Sequence, residues 1–213
     1  MKLVQRHGPR SVEVMGRTYV VSPEVFNPKF FITSKFMAEH VSVGAEDEVL
    51  DIGTGSGIQA ITAGQVARKV VATDINRQAV RCARDNVKQH GLDNTISVLE
   101  GDLFSPLPAG LMFTVILFTP PYLEGTLRSN LDHALYDPHK SLAKRFFMGA
   151  KPHLKPEGYV QMIYSSIADP ASVLRMAGQL GWDNHVLAEK KTLLETFRIY
   201  RLTLRRGQAD SGA

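Results

Sequence analysis

Cysteine and tryptophan are nearly missing from these 213 residues, at one each. A single thiol excludes an internal disulfide, and Cys82, on a helical stretch between Val80 and Ala83, reads as a small core side chain. Long apolar runs are missing too. None approaches the roughly 20 residues that span a bilayer, and Met1-Lys2-Leu3-Val4-Gln5-Arg6 lacks the apolar centre of a signal peptide. A soluble, cytoplasmic protein with no membrane partner is therefore expected. No histidine pair stands at helical metal-ligand spacing. The run from Asp132-His133 to Asp137-Pro138-His139 imitates a metal cluster, but a helix cap followed by a first-turn proline explains Asp137-Pro138 better. No metal site is expected.

Acidic residues are scarce near the start. Residues 1 to 36 hold Lys2, Arg6, Arg10, Arg17, Lys29 and Lys35 against Glu13 and Glu24, an excess of four that equals the net charge of the whole chain. Such a surface suits RNA, a ribosomal complex or an acidic protein, or is simply a solvated face. At 44% hydrophobic composition, the length suits one sizeable core.

The chain is organised around Val49-Leu50-Asp51-Ile52-Gly53-Thr54-Gly55-Ser56-Gly57-Ile58. This stretch predicts a buried strand, a glycine turn, and a helix through Ala60, Ile61, Ala63 and Val66. Three alternate glycines let the backbone bend sharply and approach a ligand without an intervening Cβ. A dinucleotide-binding turn wants glycine at position 58, where Ile58 stands, so a nicotinamide oxidoreductase is disfavoured.

Three further strand ends carry polar groups. The run Lys69 to Thr73 ends in Asp74, whose carboxylate would accept from both hydroxyls of a ribose. Ile96 to Leu99 ends in Glu100-Gly101-Asp102-Leu103, and Phe113 to Phe118 runs into Thr119-Pro120-Pro121-Tyr122. Helices and strands alternate between these signals. That alternation predicts a parallel sheet with helices on both faces and a ligand at the strand C-termini.

Taken together, the four strand ends from Val49 to Tyr122 resemble the class I S-adenosylmethionine (SAM) dependent methyltransferases. Within that class they look most like the HemK-like release-factor glutamine methyltransferases and their small-domain relatives. The resemblance implies an α/β, Rossmann-like seven-stranded sheet, mostly parallel with an antiparallel C-terminal hairpin. It implies that SAM lies against Asp51, Gly53, Thr54, Gly55 and Gly57, with Asp74 at the ribose, Asp102 at the adenine, and Ile75, Leu103 and Thr119 as further contacts. Thr33 is read either as a further contact or only as a helix cap.

In the N-methyltransferases that the fourth motif resembles, an Asn carbonyl and the next Pro carbonyl accept the two N–H bonds of the target, and the Tyr packs on its planar group. By that likeness, Thr119, Pro120 and Tyr122 are the catalytic candidates. Thr119 stands where Asn is usual; a hydroxyl still accepts a hydrogen bond, and N4-cytosine methyltransferases commonly carry Ser there. The substrate thus stays open between a protein glutamine, as in a translation release factor, and an RNA or DNA base amine. A non-catalytic SAM-binding subunit is a third reading.

Elsewhere, Val12-Glu13-Val14 and Thr18-Tyr19-Val20 predict a hairpin, and Ser22 to Ser34, with two prolines, a lid or wall before a helix capped by Thr33 or Ser34. Asn76 caps a helix closed by Gly91. Leu123 to Tyr136 is long enough to be a substrate-recognition loop. A helix is expected from Pro138 to about Lys151, a turn at Lys155-Pro156-Glu157-Gly158, and a strand from Tyr159 to Tyr164. A helix opened by Asp169-Pro170 and strands at Val186–Ala188 and Phe197–Leu204 complete the chain. Residues 1–40 are read as hairpin and lid, 41–206 as the methyltransferase domain, and 207–213 as a flexible tail.

Overall fold

The computed structural model describes residues 8, 10–30, 32–123, 125–126, 128 and 130–205. The expected tail at 207–213 lies outside the described residues, as do Lys2 and Arg6 of the basic N-terminal surface. Among the described residues, no helix is long and apolar enough to cross a membrane.

The sheet grows from strands whose residues are apolar on both sides. In β3 (Glu48–Ile52), Val49 packs with one core and Leu50 with the other, and neither is accessible. This is the pattern of a parallel strand covered on both faces. Next come β4 (Lys69–Asp74), β5 (Ile96–Glu100), β6 (Phe113–Phe118), β7 (Leu154–Ser165), β8 (Trp182–Lys191) and β9 (Thr196–Leu204). Their order is β5-β4-β3-β6-β7-β9-β8. Pairing is parallel from β5 to β7 and antiparallel for β7–β9 and β8–β9. The expected seven-stranded sheet is therefore present.

One face is covered by α1 (Ile32–Ala38), α2 (Ile58–Gly64) and α3 (Arg77–Gln89), with the N-terminal hairpin of β1 (Ser11–Val14) and β2 (Arg17–Val20) in the same core. The buried Asn86 of α3 fastens the hairpin: its Oδ1 accepts from Val20 N at 2.8 Å, and its Nδ2 donates to Val20 O and Ser56 O, both at 2.8 Å. A buried amide so fully bonded holds hairpin, helix and glycine turn in one register. After the short α4 (Asn130–His133), the other face carries α5 (Ser141–Ala150) and α6 (Pro170–Gln179). There Phe118 stacks on Phe146 at 4.1 Å, and Trp182 donates to Phe147 O at 3.2 Å.

Several boundaries differ from expectation. The helix after the glycine turn ends at Gly64, where the close approach of Ile96, 2.7 Å from where a Cβ would stand, needs a glycine; Val66 lies beyond it, 51% exposed. α1 starts at Ile32, so Thr33 and Ser34 lie inside its first turn instead of capping it. The helix expected from Pro138 is broken by positive φ at His139 and Lys140, and the buried Asp137 caps across the break, accepting from Leu142 N at 2.8 Å and Ala143 N at 3.0 Å. Residues 155–158 are part of β7, whose pairing with β6 shifts register between Phe113 and Val115. Gly158 is required there, since a Cβ would meet Thr114 O at 2.8 Å. β8 is also longer than the three residues expected of it.

Candidate functional site

The chain runs outward from β3 through β4 to β5 and then returns to β6 on the other flank of β3. Strand order reverses there, and the crevice beyond the strand C-termini is where open α/β sheets bind ligands. A cleft opens at this point.

Its floor is the glycine turn. Gly53 and Gly55 adopt φ of 69° and 59°, which side-chain-bearing residues rarely do, and a Cβ on either would meet nothing within 4 Å. The turn is stitched to β4: Gly53 N and Thr54 N donate to Thr73 O at 2.8 and 3.0 Å, and Gly55 N donates to Asp74 Oδ2 at 2.9 Å. Gly57 departs from expectation. At φ 87° it does not line the cleft; it faces Ala83 of α3 at 3.4 Å, so its missing side chain serves helix packing.

Two carboxylates stand behind and beside this floor. Asp51, 1% exposed, accepts at Oδ2 from Thr54 Oγ1 (2.6 Å) and Ala60 N (3.1 Å), which ties β3 to the first turn of α2. Burial raises its carboxyl to about 7; the two hydrogen bonds oppose the rise and the Asp74 charge adds to it. Asp74 is likewise pushed up by burial, against two backbone donors, Asn76 N on Oδ1 (2.8 Å) and Gly55 N on Oδ2 (2.9 Å). Each oxygen retains a lone pair for a ligand hydroxyl.

Ile75, half exposed, and Leu103 extend the wall. Leu103 holds φ 51°, a conformation costing about 1–2 kcal/mol for an L residue, and its carbonyl accepts from Thr73 Oγ1 at 3.1 Å. Asp102 also lines the cleft, but Arg145 of α5 engages its carboxylate. The N-terminal segment supplies the opposite wall, with Glu24, Val25, Phe26, Thr33 and Ser34, and Asn76 Nδ2 ties it down by donating to Glu24 O at 2.8 Å.

Thr119, Pro120, Pro121 and Tyr122 close the cleft at the end of β6. Thr119 Oγ1 is buried with no hydrogen-bond partner. Such a group costs about 1–3 kcal/mol unless a ligand satisfies it. Tyr122 lies 6.0 Å from the Tyr164 ring; burial first, and the nearby Glu195 charge second, push its phenol up to about 12, so it stays neutral. Over it, the ends of the 123–136 loop are joined by Leu123 N to Leu135 O (3.0 Å) and Asp137 N to Leu123 O (2.9 Å). His133, Ala134 and Leu135 of that loop line the cleft.

All the expected site residues except Gly57 thus meet in one cleft. Missed in the sequence were His133, Leu142 and Gln59, whose Nε2 donates to Ser34 O at 3.2 Å. Gln59 had a legible signal, as one polar residue inside the apolar run Ile58 to Ile61.

A family model described as the methyltransferase small domain matches residues 17–192. The chain belongs to that family. Among its relatives is a Methanocaldococcus jannaschii protein named as an N5-glutamine methyltransferase, 30% identical over 195 residues, 88% of this chain and 96% of that one. A release factor glutamine methyltransferase of Koribacter versatilis is 33% identical over 176 residues, 74% of this chain. This small-domain chain spans 61% of that enzyme's length. In fold it resembles a Thermus thermophilus 16S rRNA N2 G1207 methyltransferase solved with AdoMet and guanosine, at TM-score 0.69 and 18% identity, over 92% of this chain and 50% of that one.

Proposed function

We propose that this chain binds SAM in the cleft and methylates the side-chain amide nitrogen of a protein glutamine. The observation that carries the reading is the meeting of Asp74, the open face of Gly53 and Gly55, and Thr119 to Tyr122 around one cleft. When bound there, SAM would supply an electrophilic sulfonium methyl. Asp74 would accept from the ribose hydroxyls, and Gly53 and Gly55 admit a chain that any Cβ would block. Asp51 acts from behind, holding Thr54 and α2 in place.

The substrate side follows from the residues at the end of β6. A planar amide nitrogen is a poor nucleophile because its lone pair is delocalised. The Pro120 carbonyl and the Thr119 hydroxyl would accept its two N–H bonds and turn the lone pair toward the methyl donor, while the Tyr122 ring packs on the amide plane. Neutral Tyr122 needs no proton, and the amide proton leaves after transfer. The cleft favours protein over nucleic acid: among the described residues its lining has no Lys or Arg, whereas nucleic acids are held chiefly through their phosphates. The relatives' names point the same way.

Calorimetric titration of SAM, with NAD as control, tests the site. Micromolar binding of SAM that weakens about 100-fold in Asp74→Ala is expected, since two hydrogen bonds to a charged acceptor are lost. Unchanged affinity in Asp74→Ala would remove the ribose assignment.

A further inference from the structure

The tip of the β8–β9 hairpin turns two leucines to solvent, Leu193 at 104% and Leu194 at 92% exposure. The tip is nonetheless held. Thr192 N and Oγ1 donate to Glu195 O at 2.9 and 2.8 Å, and Glu195 N donates back to Thr192 Oγ1 at 3.1 Å. It is also moored to the catalytic end of the sheet: Ser165 Oγ, at the end of β7, donates to Glu195 Oε2, and Thr196 N donates to Ser166 Oγ at 2.9 Å. Ile167, 60% exposed, follows Ser166 directly. Tyr164, the neighbour of Ser165 in β7, lies 6.0 Å from the Tyr122 ring, so the mooring point is close to that ring. A tied turn therefore presents two leucines to water at the end of the sheet where Tyr122 stands, with Ile167 exposed next to its mooring.

Apolar side chains grouped on an ordered mount mark a contact surface, because a partner that covers them removes their area from water. The charges nearby define that partner. Glu195 stands at the base of the tip, and Glu24 and Asp74 line the cleft. Of the cations flanking the tip, Lys191 and Arg198 pair with Glu189, at 3.4 and 2.6 Å, and Lys190 lies over the Phe36 ring at 5.7 Å. A phosphate backbone finds no Lys or Arg in the lining of that cleft among the described residues. An apolar patch of a protein needs none.

We propose that the Leu193-Leu194 tip, with Ile167 beside it, is a docking knob that seats an apolar patch of a folded protein substrate and so holds its target glutamine over Tyr122. The inference rests on the glutamine methyltransferase reading above. It assigns substrate recognition to a turn distant in sequence from every cofactor-site residue.

The test uses the full chain and the double variant Leu193→Ser, Leu194→Ser, with labelled SAM and the protein and RNA pools of cells lacking this gene. Wild type labels a protein, whose modified residue is then located by mass spectrometry and copied as a short peptide. The double variant is expected to keep the melting temperature and the SAM affinity, and to lose about tenfold or more in kcat/KM on the folded protein. Its kcat/KM on the peptide, too short to reach the knob, changes less than twofold. Equal labelling of the folded protein by both chains overturns the knob alone. So does an equal loss on protein and peptide, which would mean a distorted site. Label confined to RNA, or in neither pool, overturns the glutamine reading and the knob with it.

Discussion

Around the glycine turn, the groups assigned to the cofactor are each held from behind: Asp51 by Thr54 and Ala60, Asp74 by Gly55 and Asn76, Leu103 by Thr73. Across the cleft, at the end of β6, Thr119 Oγ1 is buried without a partner, and Tyr122 precedes a loop joined at its ends by Leu123 to Leu135 and Asp137. The carboxylates on one side are held by the chain's own hydrogen bonds, whereas the Thr119 hydroxyl on the other is not. A donor common to every turnover suits a preorganised wall, because no reorganisation is then needed on binding. On the proposed reading, Thr119 Oγ1 would gain its partner only when a target amide arrives, which would place specificity there.

Removing the ring on the Thr119 side is the strongest way to separate the two halves. In Tyr122→Ala, kcat is expected to fall about 100-fold through misplacement of the amide, with the SAM dissociation constant unchanged in calorimetry. A parallel loss of SAM affinity would erase the distinction. Thr119→Val gives a smaller effect with opposite signs in two assays. Turnover falls about tenfold, while denaturant unfolding shows a gain of about 1 kcal/mol because a buried unsatisfied hydroxyl is gone. Lower stability instead would mean that the hydroxyl is bonded in solution and both walls are built alike.

The smallest expected effect probes the carboxylate wall. Asp51 has a folded value near 7 against an ordinary 3.8, so between these the folded state binds more protons than the unfolded chain. Stability then falls as pH rises through that window and is fully present only below it. Thermal melts should show a lower midpoint at pH 8 than at pH 5, at about 2–4 °C per kcal/mol. Asp51→Asn, which still accepts from Thr54 and Ala60, should flatten that difference. An undiminished pH slope in this variant would assign the linkage to other groups, Asp74 first.

Much of the cofactor wall was legible because its signals are local. Gly53 and Gly55 need positive φ, Asn76 caps the helix it precedes with Oδ1 2.9 Å from Gln78 N, and Asp74 closes a run of apolar residues. Gly57 obeyed the same local rule and still faced Ala83, since which side of a turn meets another helix depends on how α3 packs. The break at His139 and Lys140 was hidden for a related reason: Asp137 caps α5 from across the break, a bond that depends on the fold holding its side chain buried there. The stretch 155–158, with its proline and glycine, has turn composition; Thr114 and the register shift opposite make it strand.

By itself, then, the sequence determined the alternating architecture, the glycine turn and the acids and Thr119-Pro120-Pro121-Tyr122 at the strand ends, because backbone conformation and strand periodicity are set within a few residues. Only the tertiary structure decided that Asp51 braces the turn from behind, that Thr119 Oγ1 is left unpartnered, that His133 and Gln59 reach the cleft, and that a hairpin turn some 70 residues beyond Tyr122 is tied to the end of β7. These depend on which distant segments share the catalytic end of the sheet, and burial and hydrogen-bond partners across such distances are properties of the packed chain.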